Sequence, residues 1–225
     1  MNNENIIARE EEMTNVFNIK INTYLFIKRF FDIICSLIGL IFLIPLTIII
    51  KLSFILTGDF GSVFYFHERI GKNGKKFKMF KYRTMVLNSA EMLEEMLKDK
   101  NYLKEWKENH KFENDPRITK IGNILRKSSL DEIPQIINIF CGDMSIIGPR
   151  PMIDEEVEDY GKNKDKLLSM RPGLTGWWAC NGRSCVEGKQ RKELELYYID
   201  NCSIWLDIKI IFKTAIAVLK RKGAK

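Results

Sequence analysis

The chain has 225 residues, of which 45% are hydrophobic, and it carries a formal net charge of +7. This length suits one globular core with accessory segments rather than several domains. The five cysteines form no Cys-x-x-Cys pair, which argues against a disulfide framework and favours a reducing cytoplasm. The basic excess suits anionic partners such as phospholipid headgroups, nucleotide phosphates or nucleic acid, although simple solubility explains it equally well.

The first 22 residues form a polar lead-in rich in Asn and Glu. We expect this lead-in to be loosely ordered. The first apolar run begins some way into the chain and is not followed by a small-residue cleavage site, so the sequence predicts no secretory signal.

Residues 23–57 are predicted to form a re-entrant membrane hairpin. The uncharged stretch 33–50 would measure about 27 Å as a straight helix, at the lower limit for a bilayer core of about 30 Å. Pro45 predicts a break after Ile44 that leaves two arms, each too short to span. A kinked spanning helix and a buried core helix of a soluble protein are the alternatives.

Charged residues flank this apolar stretch on both sides. Lys28 and Arg29 precede it and Lys51 follows it, which gives no inside–outside asymmetry. Helical spacing predicts that Asp32 lies beside Lys28 and Arg29. We expect this cluster, together with the turn at Pro45, to hold the segment at the lipid headgroup layer. An ordinary surface ion pair is the alternative.

The rest of the chain is predicted to be a catalytic unit at residues 58–203 and an amphipathic interfacial helix with a basic tail at residues 204–225. A core helix with a basic tail would explain the last segment equally well. Two runs rich in Val, Phe and Tyr, separated by Asn73-Gly74, predict a β-hairpin, and residues 87–106 follow a helical period. The predicted fold is therefore mainly α with a small β-hairpin: an N-terminal re-entrant membrane helix-break-helix and a compact membrane-interface catalytic domain.

The segment from Asp115 to Pro151 carries most of the chemistry. Asp115-Pro116-Arg117 opens a predicted helix through Arg126. Pro134 is best tolerated in the first turn of a helix, which puts Asp131 or Glu132 at a helix N-terminus. A carboxylate there stays ionised and can serve as a ligand, a cap or a nucleophile. Ser129 with Glu132 three residues later also fits a capping box, a purely structural explanation.

Phosphoryl chemistry at Asp131 requires cations nearby, because phosphate anions repel a carboxylate. Arg150 stands between two prolines, a stiff setting that suits bidentate phosphate recognition. The candidate cations are Lys81, Arg83, Arg117, Arg126, Lys127 and Arg150. A zinc site formed by Cys180 and Cys185 with His67 or His110 is an alternative, but the spacing of these residues along the chain suits zinc poorly.

Several ordered motifs support a family resemblance. They are Lys28-Arg29-Phe30-Phe31-Asp32, Lys81-Tyr82-Arg83-Thr84-Met85, Asp115-Pro116-Arg117-Ile118-Thr119, the run from Leu125 through Leu130-Asp131-Glu132-Ile133-Pro134-Gln135 to Ser145, Gly148-Pro149-Arg150-Pro151, and Arg171-Pro172-Gly173-Leu174-Thr175-Gly176. On these motifs the chain resembles the monotopic phosphoglycosyl transferases, the bacterial sugar transferase family of polyprenyl-phosphate enzymes. The resemblance covers nearly everything after Tyr24. The extra N-terminal membrane domain of long members is not expected, so the chain looks like the small form.

The resemblance implies a ping-pong transfer of a phosphosugar from a UDP-sugar to polyprenyl (undecaprenyl) phosphate. Asp131 would attack the phosphate next to the sugar and expel UMP. Mg²⁺ is the implied cofactor, with Glu132 as its principal ligand and Asp131 beside it. The implied substrate-binding residues are Lys81, Arg83, Arg117, Arg126, Asp143, Arg150 and Arg171.

The implied location is the cytoplasmic face of the bacterial membrane, at the first membrane step of a surface glycan or exopolysaccharide pathway. Membrane phospholipids are expected partners and no nucleic-acid partner is expected. Whether the chain forms a homo-oligomer is left undecided by the sequence. Two positions depart from the family pattern: Ala179 stands in place of a glutamine and Cys202 in place of a tryptophan. Because of these departures, the resemblance does not tell which residues contact the sugar and the nucleotide. A catalytically silent membrane scaffold is the alternative function, and a nucleic-acid-binding protein finds no support in the apolar run.

Overall fold

The computed structural model describes residues 3–109, 112–182, 186 and 188–219. His110, Cys185 and the basic tail after Leu219 lie outside these residues. The helices are α1 (Asn3–Leu56), α2 (Ser89–Met96), α3 (Lys100–Asn109), α4 (Lys120–Ser128), α5 (Gln135–Cys141), α6 (Asp154–Glu158), α7 (Lys164–Leu168), α8 (Trp177–Cys180), α9 (Gly188–Asp200) and α10 (Ile204–Leu219). The strands are β1 (Phe64–Ile70), β2 (Lys76–Tyr82), β3 (Ser145–Ile147) and β4 (Gly173–Thr175). The predicted mainly α fold with a small hairpin is confirmed.

Helix α1 differs from its prediction in two ways. It begins at Asn3, so the lead-in expected to be loosely ordered is helical, and it continues through Pro45, so the predicted break is wrong. A proline removes one backbone hydrogen bond, here the one to the Ile41 carbonyl, and can bend a helix without ending it. The Thr47 hydroxyl adds a side-chain bond to the Leu43 carbonyl at 2.7 Å in the same part of the helix. By length and composition alone, the portion Lys20–Leu56 could cross a membrane.

One side of α1 packs against the rest of the chain. Leu43, Ile50 and Phe54 share a core cluster with residues of the hairpin and of α4. At Gly39 an added Cβ would lie 2.7 Å from Cδ1 of Ile136, so the glycine allows α5 to approach closely. The other side of α1 exposes large apolar side chains, including Phe26, Ile41, Phe42, Ile49 and Leu56. A continuous apolar face of this kind indicates contact with a membrane or another apolar partner.

The β-hairpin forms where it was predicted. Strands β1 and β2 pair antiparallel, with Tyr65 opposite Lys81. The turn uses Asn73 at φ 56° and Gly74 at φ 76°, a left-handed backbone that Asn and Gly adopt readily. The predicted helical stretch 87–106 is divided into α2 and α3.

Strands β3 and β4 form a parallel pair that the sequence did not predict. Glycines at the pair allow the two backbones to touch. A Cβ added at Gly173 would lie 2.1 Å from the Gly148 amide nitrogen, and one added at Gly176 would lie 2.2 Å from the Gly148 carbonyl oxygen. This close approach brings the segment that contains Arg150 beside the segment that follows Arg171.

Helix α4 begins later than predicted. Thr119 is its N-cap, and the Thr119 hydroxyl accepts a hydrogen bond from the Gly122 amide at 2.9 Å. Asp115 and Arg117 therefore precede the helix instead of opening it. A Cβ added at Gly122 would lie only 1.9 Å from the Thr84 carbonyl oxygen, so this glycine lets α4 pack directly on the chain that leaves β2.

A buried polar network joins α1 to α9 and α10. The Lys28 ammonium lies 2.9 Å from the Asp207 carboxylate, with both side chains largely buried. The hydroxyls of Tyr24 and Tyr198 donate to the same carboxylate at 2.9 and 2.8 Å. The predicted helix in 204–219 is confirmed as α10, which exposes Trp205 and Phe212 among other apolar side chains. Its lipid contact stays a prediction.

Candidate functional site

A cleft of about 1030 Å³ opens between the hairpin, the segment after β2, α4 and the close approach of β3 and β4. It collects most of the polar residues predicted for the site. The predicted residues that line it are Lys81, Arg83, Arg117, Arg126, Asp131, Glu132 and Arg150. Residues separated by up to 69 positions in the chain therefore share one cavity, and a cavity of this size is large enough for a nucleotide sugar.

Asp131 and Glu132 lie in a single 3-10 turn, Leu130–Glu132, between α4 and α5. The turn starts at Ser129, whose φ of 56° is left-handed and whose amide closes the end of α4. Ser129 precedes the turn with a left-handed backbone instead of the extended one typical of a side-chain cap, and its side chain makes no cap hydrogen bond. The predicted capping box is therefore wrong, and the two carboxylates are not used as helix caps through Ser129.

The helix that follows this turn is fixed from two directions. The buried Asn138 side chain accepts from the Phe80 amide at 2.9 Å and donates to the Lys78 carbonyl at 2.8 Å, which attaches α5 to the edge of β2. The Arg29 guanidinium of α1 donates to the carbonyls of Ile139 and Phe140 at 2.6 and 2.8 Å. These bonds satisfy carbonyls at the C-terminus of α5. The turn that carries Asp131 is thus held between the hairpin and α1.

Asp131 is the more buried of the two carboxyl groups. Burial raises its pKa above the ordinary range, and the neighbouring Glu132 charge adds to this, while Lys81 and Arg126 oppose the shift. The Lys81 ammonium lies 2.9 Å from the Glu132 carboxylate. A carboxylate that is poorly solvated and faces cations can act as a nucleophile toward a phosphate drawn in by those cations.

Besides Lys81, two of the predicted cations have carboxylate partners. Arg83 makes a bidentate pair with Asp59 at 2.8 and 2.9 Å, and its guanidinium holds the pKa of Asp59 below the usual value. Arg117 makes a similar pair with Asp115 at 2.9 and 2.7 Å. Burial alone would raise the pKa of Asp115, but the hydrogen bonds from Arg117 lower it overall. Both arginines therefore stabilise the wall of the cleft.

Arg126 and Arg150 are held differently. The Arg126 Nε donates to the Thr84 hydroxyl at 2.9 Å, and the charge of Arg126 acts on Asp131. The Arg150 guanidinium lies over the Trp178 ring, with its Cζ 5.3 Å from the ring centroid, a cation–π contact. Together with Lys81, these are the cleft cations best placed to receive phosphate.

Glu195 and Trp178 also line the cleft and were not predicted from the sequence. Glu195 is 1% exposed, and its two carboxylate oxygens lie 3.3 Å from the Arg150 amide nitrogen. A signal was present: Arg191, Glu195 and Tyr198 are spaced four and three residues apart, so they share one face of α9. A charged residue on the buried face of a helix is rare without a partner.

Two predicted substrate contacts lie away from the residues that line the cleft. The Arg171 Nε donates to the Gly142 carbonyl at 2.7 Å, and the Asp143 amide donates to the Asn138 carbonyl at 3.0 Å. Both contacts lie at the junction after α5, where they stabilise the loop. Lys127 is exposed on α4 and also does not line the cleft.

The predicted headgroup cluster has intramolecular partners. Asp32 is 3% exposed and accepts from the Ser145 hydroxyl at 3.1 Å and the Ile146 amide at 2.9 Å. Lys28 pairs with Asp207, so the expected grouping of Asp32 with Lys28 is replaced by contacts that join α1 to β3 and α10. Asp32 and Lys28 thus contact residues that are distant in the chain instead of each other, and these contacts bury their charges. Headgroup contact by Lys28, Arg29, Asp32 and Pro45 stays a prediction.

The described residues contain no group of three or more His, Cys, Asp and Glu side chains that could hold a metal ion. The zinc alternative therefore has no support within them. Mg²⁺ requires less from a protein, because it is often bound through one or two carboxylates while substrate phosphates and water complete the shell. The adjacent carboxyl groups of Asp131 and Glu132 fit that donor set.

Comparison with known proteins gives a consistent result. The family model described as "Bacterial sugar transferase" matches residues 23–221. The chain is 45% identical over 200 residues to an undecaprenyl-phosphate galactose phosphotransferase of Salmonella typhimurium, covering 88% of this chain and 42% of that protein. It is 42% identical over 198 residues to the exopolysaccharide production protein ExoY of Sinorhizobium fredii, covering 88% and 87%.

A third similar protein is the UDP-glucose:undecaprenyl-phosphate glucose-1-phosphate transferase of Escherichia coli, 35% identical over 207 residues. That match covers 88% of this chain and 41% of the relative. The chain thus spans about two fifths of the length of the Salmonella and Escherichia proteins and most of the length of ExoY.

Proposed function

Because the chain belongs to the bacterial sugar transferase family, we propose that it transfers a phosphosugar from a UDP-sugar to undecaprenyl phosphate, giving undecaprenyl-diphospho-sugar and UMP. The observation that carries this proposal is the partly buried Asp131 carboxylate in a cleft lined by Lys81, Arg126 and Arg150. The printed names of the Salmonella and Escherichia relatives specify the same class of reaction. The exopolysaccharide name of ExoY supports a role in surface glycan assembly.

The first step is a displacement at phosphorus. A carboxylate oxygen of Asp131 attacks the phosphorus next to the sugar, the bond from that phosphorus to the bridging oxygen breaks, and UMP leaves with the electron pair. The phosphosugar is then bound to Asp131 as an acyl phosphate. Lys81 and Arg126 act on this site through their charge, and fixed cations of this kind stabilise the charge that develops on phosphate oxygens.

The second step transfers the phosphosugar to lipid. A phosphate oxygen of undecaprenyl phosphate attacks the same phosphorus, the bond to Asp131 breaks, and the carboxylate is restored. The reaction is thus divided into two displacements at Asp131, so the two anionic substrates do not react with each other directly. The arrangement suits a lipid acceptor, since α5, which follows the catalytic turn, packs directly on α1 at Gly39.

Glu132 and Asp131 are the groups that would hold Mg²⁺, with Glu132 as the principal ligand. When bound, the ion supplies neutralisation of phosphate charge and stabilisation of the leaving group. Lys81 pairs with Glu132 and would turn toward the donor phosphates as they enter.

We propose that both ends of the apolar segment lie on the cytoplasmic side of the membrane, so that the chain is monotopic and α1, unbroken at Pro45, does not cross the bilayer. The support comes from packing. On the N-terminal side of the apolar segment Lys28 pairs with Asp207 of α10, and near its C-terminal end Phe54 packs in a cluster with Val63 and Leu125. Both ends of the segment thus contact the same folded unit, which supports placing them on one side of the membrane.

Cysteine labelling tests this topology. In a variant lacking the native cysteines, a single cysteine at Asn22 or at Thr57 should be protected from an impermeant reagent in intact cells and react after permeabilisation, because both exposed positions face the cytoplasm. A cysteine at the exposed Lys75, at the end of the hairpin turn, gives the cytoplasmic reference. Labelling at position 22 in intact cells, with position 57 protected, would establish a spanning helix.

Turnover of a UDP-sugar tests the function. The full chain, purified in detergent with undecaprenyl phosphate and Mg²⁺, should release UMP from at least one member of a panel that includes UDP-galactose and UDP-glucose. Lipid-linked sugar diphosphate should appear in equal amount. A folded protein that releases no UMP with any UDP-sugar would support the silent scaffold instead.

A further inference from the structure

The Arg150 segment depends on very few backbone hydrogen bonds. Pro149 and Pro151 have no amide hydrogen, so only Gly148 and Arg150 can donate in this stretch. The Gly148 amide donates to the Thr175 carbonyl at 2.9 Å. The Arg150 amide points between the two carboxylate oxygens of Glu195, each 3.3 Å away. The backbone of Arg150 is thus held by a side chain from α9.

Glu195 is buried together with several charged groups. Arg150 and Arg191 face it with positive charge and Glu156 with negative charge, and Tyr160 also lies within its field. Arg191 pairs with Glu156 at 3.2 Å. Burial raises the pKa of Glu195 to about 7, although the Arg150 amide and the two arginines oppose the shift.

A carboxyl group in this position does not stabilise the fold at alkaline pH. Its pKa is higher in the folded chain than in the unfolded one, so the folded state binds the proton more tightly. Stability from this group is therefore greatest at low pH and falls as the pH rises from the unfolded pKa through the folded value near 7. At pH 8 the ionised Glu195 opposes folding, which calls for an explanation other than stability.

We propose that Glu195 is a positioning residue, which fixes the Arg150 backbone so that the guanidinium faces the phosphates of the donor. This inference rests on the proposed phosphosugar transfer. The carboxylate accepts from the amide of Arg150, and the guanidinium remains in the cleft, where it lies over Trp178. Stacking on the ring restricts the guanidinium plane, and the amide contact restricts the backbone from which it extends.

Glu195→Gln removes the charge but retains the size and an acceptor oxygen. We expect kcat/KM for the UDP-sugar to fall about tenfold, the scale by which a charge-assisted hydrogen bond exceeds a neutral one, while the melting temperature at pH 8 stays equal or rises. Glu193→Gln is the matched control on the exposed face of the same helix, where Glu193 pairs only loosely with Lys189 at 3.9 Å. It should leave both quantities unchanged.

A double-variant cycle separates positioning from a general structural role. In an Arg150→Ala background, Glu195→Gln should cause little further loss, because the residue acts through Arg150. The proposal would be overturned if each substitution lowered kcat/KM by its own factor and the two factors multiplied in the double variant. A fall in melting temperature parallel to the loss of activity would also overturn it. Wild-type kcat/KM in the Gln variant would do the same.

Binding of inorganic pyrophosphate gives a readout that does not need turnover. Measured by calorimetry on the full chain, its affinity should fall about tenfold in Glu195→Gln and stay at the wild-type value in Glu193→Gln. An unchanged affinity in the Glu195 variant would contradict positioning even if the protein transferred no sugar. Failure of the transferase reaction alone, with this difference in affinity preserved, would count against the proposed function and not against the role of Glu195.

Discussion

Asp131→Asn should abolish UMP release and the covalent phosphosugar intermediate. The asparagine side chain has nearly the same size and can still hydrogen-bond, but it lacks the anionic oxygen that attacks phosphorus. We expect turnover to fall by at least about three orders of magnitude, as is usual when a nucleophile is removed. Burial raises the pKa of Asp131, so wild-type activity should also decline as the pH is lowered toward that pKa and the carboxylate becomes protonated.

Mass spectrometry of protein incubated with the UDP-sugar and no lipid acceptor measures this directly. The wild-type chain should show a phosphosugar adduct on the peptide that contains Asp131, and the Asn variant should show none. Glu132→Gln should slow turnover through weaker metal binding, retain the adduct and recover partly with added Mg²⁺. Asp165→Asn, on the exposed surface of α7, is the neutral control. An adduct in Asp131→Asn, or kinetics of a single-step ternary mechanism without any adduct, would refute the ping-pong route.

Asp207→Ala should cause the largest loss of stability among the substitutions considered. It removes the carboxylate that accepts from Lys28, Tyr24 and Tyr198, and it leaves the Lys28 ammonium only 9% exposed without its partner. Breaking one side of a buried ion pair costs about 3–5 kcal/mol. Thermal unfolding in detergent should show a clear fall in melting temperature, because α1 loses its main polar connection to α10.

The paired replacement provides the control. Lys28→Met combined with Asp207→Leu removes both charges and should recover most of the stability, since the two tyrosine hydroxyls still lie 3.2 Å apart and can bond to each other. Asp200→Ala removes a half-exposed partner of Lys166 and should change stability by less than about 1 kcal/mol. A double variant no more stable than Asp207→Ala would show that the ion pair is not the source of the effect.

Features that depend on local sequence were predictable. The hairpin followed from two apolar runs around Asn73-Gly74, and α10 followed from its apolar content, because both signals lie within about twenty residues of chain. The place of Asp131 and Glu132 directly before α5 was also predictable, since they stand together ahead of Pro134. The chemistry expected of them rests on the family resemblance and stays a proposal, and the structure brings Lys81 and Arg126 to the same cleft.

Features that depend on distant contacts were not predictable. Lys28 and Asp207 are 179 residues apart, and Glu195 and Arg150 are 45 apart, so no short pattern connects them. The predicted break at Pro45 failed for a similar reason. The rule that proline interrupts a helix takes no account of packing along α1, where Thr47 also meets the Tyr82 hydroxyl at 2.6 Å.

On the proposed membrane location, we expect lipid to act as a thermodynamic ligand of the exposed apolar side of α1. Phe42 is 69% exposed and Ile41 is 68% exposed, while the opposite side of the helix is packed in the core. Acyl chains that solvate this surface associate with the folded arrangement more than with one in which α1 has detached. By mass action, the free energy of unfolding should then rise with the lipid concentration. The melting temperature therefore depends on the amphiphile and its concentration as well as on the chain.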